Sequence, residues 1–151
     1  MDFDFSDDQQ SLRDAVRRWV DKGYTFERRR SIVAAGGFDR AAYGELAELG
    51  LTALTVPEKH DGLGQGAIDV MVAMEELGRG MVLEPLAHAF IASSVLTQYA
   101  PAELQAAWLP RIASGALAVT PPGKLPCQPA SMASSMKGMA KGPAASIISS
   151  A

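Results

Sequence analysis

Apolar residues near the start of the chain recur at helical spacing. Intervals of three and four residues separate them, so all of them fall on one face of a helix. Ser6 is followed three residues later by Gln9, which is the pattern of a capping box at a helix start. The sequence therefore predicts an amphipathic helix over about residues 7–22. Its apolar positions are Leu12, Ala15, Val16, Trp19 and Val20.

Two further helix starts follow, each marked by a residue whose side chain can cap a helix. Thr25 is the predicted cap of a short second helix, which Gly36-Gly37 ends. Asp39 is the predicted cap of a third helix, and Phe38 and Tyr43 flank that start with the spacing of a hydrophobic staple. This third helix is expected to end at the next glycine.

Residues 50–80 combine three predicted features: a short extended run, a glycine-rich loop and a helix. A short extended run is predicted through Leu51, Leu54 and Val56, and a loop with three glycines in five residues (Gly62, Gly64 and Gly66) follows it. Leu63 is the only apolar residue of that loop, and the prediction is that it anchors the loop against the body of the protein. A helix is predicted over about residues 67–79, with Gly80 as its left-handed terminator.

The later part of the chain predicts two more helices and then a change of composition. Pro85 opens a helix over roughly residues 85–99 that is apolar on nearly all sides and is therefore expected to be central. Pro101 opens a sixth helix, which Pro110 ends or kinks. The predicted fold is all-α, an orthogonal or up-down bundle of about six helices, with a low-complexity tail over 121–151.

Composition and charge narrow the class of protein. Apolar residues make up 48% of the 151 residues and charged residues 21%, which is typical of globular proteins. The net charge is −3 and Arg28-Arg29-Arg30 is the only basic run, so no nucleic-acid partner is indicated. The single cysteine, Cys127, fits a cytoplasmic location, and the acidic start does not have the pattern of a secretory signal. The uncharged run over 85–102 contains several polar residues, so it predicts a buried helix and no membrane insertion.

The glycine loop admits a second interpretation. Gly62, Gly64 and Ala67 fit the dinucleotide-binding pattern G-x-G-x-x-G/A, which lies between an extended run and a helix. That pattern requires a tight turn from strand to helix, whereas residues 57–61 separate the predicted run from the first glycine. Nor is a strand predicted after the helix, so a nucleotide-binding βαβ unit is ranked last.

Few side chains suggest chemistry when the sequence is considered alone. His60 and His88 have no second histidine or cysteine at metal-ligand spacing, so each is interpreted as a structural histidine with satisfied hydrogen bonds. Glu75 and Glu76 form a carboxylate pair, but adjacent helix residues point about 100° apart, so a solvated face or an ion pair is the preferred interpretation. The sequence by itself indicates no catalytic residue, no cofactor-binding residue and no metal site.

Two motifs resemble a known family. The pattern G-L-x-x-L-x-V-P-E-x-x-D-G-L-G starts at Gly50, and Glu75-Glu76-Leu77 lies near the end of the following helix. These residues are similar to the N-terminal domain of the acyl-CoA dehydrogenase family, although that family more often has glycine at the position of Asp61. The segment over 109–115 resembles the family's junction with its β-domain. The Thr-Glu-Pro sequence that commonly follows in the family is absent here, because Thr120 precedes Pro121-Pro122.

The resemblance covers about residues 3–120, and it implies a function in fatty-acid metabolism. Family members are FAD-dependent oxidoreductases that act on CH–CH groups of acyl-CoA thioesters, with the flavin and the catalytic base held by later domains. The implied division is a helical domain over 1–115, the start of a truncated β-domain over 116–120, and a possibly non-native tail over 121–151. On this interpretation the chain alone binds no flavin and is inactive.

The resemblance also indicates which residues meet substrate and partners. One helix of the family's N-terminal domain walls the acyl-chain pocket, and by position this is the helix that starts at Pro85. Its apolar faces and the Gly62–Gly66 loop are expected to be exposed, or to be covered by another chain. A homo-oligomer or a full-length dehydrogenase subunit is the expected partner, and the alternative function is a stand-alone helical interaction or dimerisation module. The candidate pocket residues are Leu86, Ala89, Phe90 and Ser93.

Overall fold

A computed structural model describes residues 4–119 and 148–149, and it confirms the predicted all-α class. Within those residues, two short 3-10 turns and one antiparallel pair of two-residue strands accompany the helices. The predicted tail over 121–151 lies outside the described residues except for the second of these strands. The elements are α1 (Asp7–Gly23), α2 (Phe26–Ala34), α3 (Arg40–Glu48), the 3-10 turns Leu51–Ala53 and Glu58–His60, α4 (Ala67–Arg79), α5 (Leu86–Tyr99), α6 (Ala102–Ala113), β1 (Ala118–Val119) and β2 (Ile148–Ser149).

The three predicted helix caps are confirmed. The Ser6 Oγ accepts the Gln9 N–H at 3.2 Å while the Gln9 Oε1 accepts the Ser6 N–H at 3.1 Å, which completes the capping box. Thr25 caps α2 through its hydroxyl, and the Asp39 carboxylate accepts the second N–H of α3. Each helix therefore starts where a side chain satisfies an N–H group that has no partner inside the helix.

Two large clusters of buried apolar side chains, with a smaller third one between α2 and α3, form the interior. The first lies where α1 packs against α4, and it includes Val16 and Val20 on α1 and Ala73 and Leu77 on α4. The second lies where α5 packs against α6, and Leu109 and Ile112 belong to it. Side chains of α5 enter both clusters, so this helix joins the two halves of the core.

The predicted extended run over residues 51–56 is wrong. Gly50 has a φ of 79°, which ends α3 in the left-handed conformation and turns the chain directly into a 3-10 turn. The N–H groups of Ala53, Leu54 and Val56 then bond to carbonyls only three residues earlier. The run has no strand beside it among the described residues, so local turn bonds satisfy its backbone groups.

Main-chain hydrogen bonds hold the glycine loop. The predicted anchor, Leu63, lies against Gly50 but is only half-buried, so it is a weaker anchor than expected. Leu63 is 46% exposed, whereas its N–H donates to the Ala53 carbonyl at 3.0 Å. The neighbouring Gly64 N–H donates to the Val56 carbonyl at 2.8 Å, and Gly64 has a φ of 61°. Gly62 is required for a different reason: any Cβ at this position would overlap the Val56 carbonyl.

The end of α4 also differs from the prediction. Gly80 has a φ of −82°, and the residue in the left-handed conformation is Met81, with a φ of 50°. Gly80 lies against the Val20 side chain, which leaves no room for a Cβ. A glycine here therefore permits α4 to approach α1 closely, and it does not act as the left-handed terminator.

The last helix and the segment after it are fixed by contacts with α3 and the first 3-10 turn. Pro110 does not end α6, which continues to Ala113. The Thr52 hydroxyl donates to the Ala113 carbonyl at 2.7 Å, and the Tyr43 hydroxyl donates to the Leu117 carbonyl at 3.3 Å. These two bonds set the direction in which the chain enters β1.

Replacing Gly62 by alanine is expected to lower the free energy of unfolding by about 1–3 kcal/mol, because the new methyl group would displace the Val56 carbonyl from the loop. Gly78→Ala is the matched control, since its Cβ would meet no atom within 4 Å on the exposed side of α4. That substitution is expected to raise stability by about 0.4–1 kcal/mol. Denaturant unfolding followed by circular dichroism measures both, and equal effects of the two variants would contradict the prediction.

Candidate functional site

The four candidate pocket residues lie together on the inner face of α5. Leu86 and Phe90 belong to the core cluster of α1 and α4, and Ala89 belongs to the cluster of α6. All four are buried in this chain, with exposed fractions between 0 and 6%. The structure therefore gives them packing partners within the domain, and their contact with an acyl chain stays a prediction. The exposed fractions are Leu86 1%, Ala89 0%, Phe90 6% and Ser93 0%.

The hydroxyl of Ser93 is engaged in two hydrogen bonds inside the protein. It donates to the Phe90 carbonyl at 3.0 Å, one turn earlier in α5. A serine hydroxyl carries one hydrogen, so the Thr55 hydroxyl, 2.6 Å away, must be the donor in the second bond. Sequence analysis did not single out Thr55, because a polar residue next to Val56 has the pattern of a strand or loop surface. The pair fastens the segment before the glycine loop to the middle of α5.

The outer face of α5 is apolar and exposed, which confirms that part of the expectation. Ile91 is 62% exposed, Val95 47% and Tyr99 79%. They are spaced four residues apart, so one stripe along the helix carries all three. The prediction that α5 is central is therefore only half right, since one face enters the core and the other is exposed in this chain. The absence of acidic and basic (Asp, Glu, Lys, Arg) residues from α5 was the signal for this stripe.

The glycine loop does not fit a phosphate cradle. The dinucleotide-binding pattern needs free N–H groups in its glycine loop and a parallel strand on each side of the helix. The Gly62, Leu63, Gly64 and Gln65 N–H groups all donate to carbonyls of residues 53–57, and the Gly66 N–H donates to the Asp69 carboxylate at 3.1 Å. Over residues 4–119 and 148–149, the sheet is one antiparallel strand pair with no parallel neighbour. The dinucleotide-binding interpretation is wrong.

The two adjacent glutamates of α4 have different surroundings. Glu75 is 61% exposed and pairs with Arg13 at 2.7 Å, whereas the Glu76 side chain is 2% exposed. Arg17 donates both to the Glu76 Oε1 at 2.6 Å and to its Oε2 at 3.2 Å, and Arg79 adds a bond of 3.0 Å to the Oε2. The hydrogen bonds from Arg17 lower the pKa of Glu76 despite its burial. The ion-pair interpretation is confirmed, and Glu76 is held as a charged structural group.

Neither histidine lies in a metal site, and neither is fully hydrogen-bonded. No group of three potential metal ligands occurs in the part of the chain that the structure describes. The Nε2 of His60 and the Nδ1 of His88 are buried and lack a hydrogen-bond partner within that same part. The prediction that each histidine is a satisfied structural residue is therefore wrong for one ring nitrogen of each.

Helices long and apolar enough to cross a membrane are absent from the described residues.

The geometry defines a helical domain with an outward apolar helix face. A family model described as "Acyl-CoA dehydrogenase, N-terminal domain" matches residues 6–116. The chain therefore belongs to the acyl-CoA dehydrogenase family, and the resemblance inferred from its motifs is confirmed.

Comparisons with individual proteins agree with this assignment. The chain is 34% identical over 80 residues to benzylmalonyl-CoA dehydrogenase of Aromatoleum aromaticum, which covers 53% of this chain and 21% of that protein. Butyryl-CoA dehydrogenase from Megasphaera elsdenii has a TM-score of 0.68 at 22% identity, over 82% of this chain and 34% of that one. The ChsE4-ChsE5 complex from Mycobacterium tuberculosis has a TM-score of 0.64 at 24% identity, over 76% and 30% respectively.

These comparisons also define the extent of the similarity. The chain spans between about a fifth and a third of the length of the proteins it matches. The two structural similarities lie below 25% identity, so they establish the fold alone.

Replacing Glu76 by glutamine is expected to destabilise the protein at pH 7 by about 1–3 kcal/mol, because the charge-assisted hydrogen bonds to a buried carboxylate are lost. Arg17 and Arg79 are half-exposed, so solvent screening limits the size of this loss. The folded-state pKa of Glu76 lies below its ordinary value of 4.5, so this stabilisation is present above that pH. It disappears as the pH falls through the folded-state pKa, where the wild-type protein and the variant should converge. Thermal unfolding between pH 2 and pH 7 measures the difference.

Glu75→Gln is the matched control, because Glu75 is the adjacent residue and is mostly exposed. Its effect should stay within about 0.5 kcal/mol at every pH. An equal loss in both variants would show that burial of Glu76 has no special effect.

Proposed function

We propose that this chain is the N-terminal helical domain of an FAD-dependent acyl-CoA dehydrogenase-like oxidoreductase. The reaction is the oxidation of a CH–CH group in an acyl-CoA thioester, and the domain alone does not catalyse it. The observation that carries the proposal is the family match over residues 6–116. A cytoplasmic location is part of the proposal, and the sequence support for it is a single cysteine in 151 residues.

The described residues do not fit a flavin site, so the proposal assigns the flavin to protein segments other than these. The N–H groups of the glycine loop, which a flavin pyrophosphate would need, are already bonded within the loop and to residues 53–57. Glu76 is the buried carboxylate of α4, and its arginine partners hold it charged and away from proton-transfer chemistry. We therefore propose that the catalytic base also lies outside the helical domain.

The division of the chain follows from the same proposal. Residues 1–115 form the helical domain, residues 116–120 begin a truncated β-domain, and residues 121–151 are a low-complexity, possibly non-native tail. The strand β1 lies within the second of these segments, and Thr52 and Tyr43 fix its direction of entry. Their hydrogen bonds support a role for residues 113–117 as a rigid junction.

The acyl-chain pocket is proposed to lie against α5. Leu86, Ala89 and Phe90 are packed inside the domain, so they hold the helix in position rather than present a free surface. Ile91 and Val95 lie on the exposed stripe, and they are the side chains that a downstream domain or an acyl chain would cover. Ser93 is also buried, and its bond to Thr55 joins α5 to the segment before the glycine loop.

A second candidate function is a stand-alone module that pairs with a full-length dehydrogenase subunit or with a second copy of this chain. The exposed apolar stripe on α5 favours this alternative, because such stripes in folded proteins are usually covered. The similar solved structures include a complex of two differently named proteins, ChsE4 and ChsE5.

The purified chain is expected to be colourless and to bind no FAD, and acyl-CoA substrates with an artificial electron acceptor should give no turnover. The physical reason is that the described residues supply neither a phosphate cradle nor a free catalytic base. Visible absorption after dialysis against FAD, together with dye reduction assayed over several acyl chain lengths, measures both properties.

Retention of FAD at one flavin per chain would contradict the proposal, and so would reduction of the dye. Sequencing the DNA beyond the codon for Thr120 provides an independent check. The expected result is an alternative reading frame that encodes a β-domain with a Thr-Glu-Pro-like segment. A locus with no such frame would contradict the division proposed for residues 116–151.

Placing aspartate at both Ile91 and Val95 is expected to abolish association through α5, because two charges would be desolvated in the contact. The measurement is the molar mass of the chain by light scattering over a range of concentrations. The wild-type chain should gain mass with concentration, while the double variant should remain monomeric with an unchanged circular dichroism spectrum.

Val33→Asp is the control for this experiment. Val33 is 58% exposed on α2, so the substitution adds charge at a comparable exposed apolar position away from α5. It should leave association intact. Equal loss of association in both variants would argue against a specific surface on α5, and a monomeric wild-type chain would contradict the interaction module.

A further inference from the structure

Glu84 is a buried acid without an ion-pair partner among the described residues. It lies in the connector formed by residues 80–85, between α4 and α5, and only 6% of its surface is exposed. Neither oxygen of its carboxyl group makes a well-formed hydrogen bond in the part of the chain that the structure describes. An ionised carboxylate in such a place loses its hydration and gains little in return, so burial is costly to the charged form.

The groups that face Glu84 do not supply the missing positive charge. The Tyr24 hydroxyl accepts the Leu83 N–H at 3.1 Å, and its own hydrogen is directed towards the Glu84 carboxyl group. Asp39 at the start of α3 contributes a like charge. Arg28, whose charge acts on Tyr24, is engaged by Glu45 at 2.7 Å and by Asp39 at 3.4 Å.

Burial, the largest effect, raises the pKa of Glu84 above its ordinary value of 4.5, and the Asp39 charge adds to this. Weak hydrogen bonding from the Tyr24 hydroxyl and from the main-chain N–H groups of Glu84 and Asp39 lowers the pKa and offsets part of the rise. Burial similarly raises the pKa of Tyr24 to about 12, so this hydroxyl stays neutral. An acid whose folded-state pKa is raised in this way does not destabilise the folded protein at pH values below its unfolded-state pKa. The destabilisation grows as the pH rises from 4.5 and is complete above the folded-state pKa.

The connector that carries Glu84 is attached at its start by the Met81 and Val82 N–H groups, which donate to the Gly78 and Leu77 carbonyls of α4 at 3.0 Å each. Further along, its attachments are fewer. Arg29 donates to the Gly80 carbonyl at 2.8 Å, the Leu83 N–H is bonded to Tyr24, and Met81 adopts a left-handed conformation that non-glycine residues seldom use. The connector leads directly into α5, whose first residue, Leu86, is in the core. Release of the connector would therefore loosen the start of α5 as well.

We propose that Glu84 is a proton-linked latch: the neutral acid keeps the connector packed against Tyr24, and ionisation of the acid favours an open connector. This device is independent of the acyl-CoA function, because no residue of the exposed stripe takes part in it.

Glu84→Gln tests the latch, since glutamine keeps the shape of the protonated acid and cannot ionise. The experiment uses the full chain and measures the hydrogen-exchange rate of the Leu83 amide. This rate is corrected for the intrinsic effect of pH on exchange. For each unit by which the pKa is raised, the wild-type opening constant should increase about tenfold between pH 4 and high pH. In Glu84→Gln the opening constant should stay level, and the thermal midpoint should exceed the wild-type value at pH 8 but not at pH 4.

Two comparisons distinguish the latch from general destabilisation. Glu103→Gln removes an exposed acid at the start of α6 and should reproduce the wild-type pH dependence. The Leu117 amide, bonded to the Arg111 carbonyl far along the chain, should exchange at a rate that does not depend on Glu84. If Glu84→Gln does not fold, two measurements on the wild-type protein test the proposal: the pH dependence of Leu83 amide exchange and a carbon-13 titration of Glu84. A Glu84 midpoint at or below 4.5, or level Leu83 exchange in the wild-type protein, overturns the proposal.

Discussion

The arrangement of this domain depends on how α5 is packed. Its inner face enters both core clusters, with Leu86 and Phe90 on the side of α1 and α4 and Ala89 on the side of α6. Core side chains at close-packed density tolerate little displacement, so α5 is fixed by both halves of the interior at once. A helix fixed in this way can carry an apolar outer stripe and still keep its position. The exposure of Ile91 and Val95 is therefore a consequence of the packing on the opposite side.

The glycine loop supports the same helix by a different type of interaction. Its N–H groups bond to carbonyls of residues 53–57, and the Thr55 hydroxyl in that segment bonds to Ser93 on α5. The loop and α5 are thus connected through one short turn, with no side chain of the loop buried in the core. This explains how residues 62–66 can be ordered while Leu63 remains exposed. The main-chain bonds fix the loop, and the Leu63 side chain lies against Gly50 with 46% of its surface exposed.

The sequence predicted the helices well because their signals are local. Ser6, Thr25 and Asp39 are each bonded to an N–H group within three residues, and such bonds are determined by the neighbouring sequence. The extended run over 51–56 could not be excluded in the same way. Alternating apolar residues fit a strand when another strand is available, and here Gly50 diverts the chain into a turn before any pairing. The position of Gly80 against Val20 is a contact between distant residues, which glycine composition alone cannot indicate.

The charge states of the buried acids are even harder to predict from the sequence than these contacts. Glu76 and Glu84 are the same residue type, eight positions apart, and each is more than nine-tenths buried. Arg17 and Arg79 surround one of them and hold it charged, whereas the other faces Tyr24 and the like charge of Asp39. Arg17, Tyr24 and Asp39 are each more than forty residues along the chain from the glutamate that they face, whereas Arg79 lies three residues after Glu76 on α4. The charge state of a buried glutamate is therefore a property of the packed domain, because it depends on which distant helix supplies the arginine.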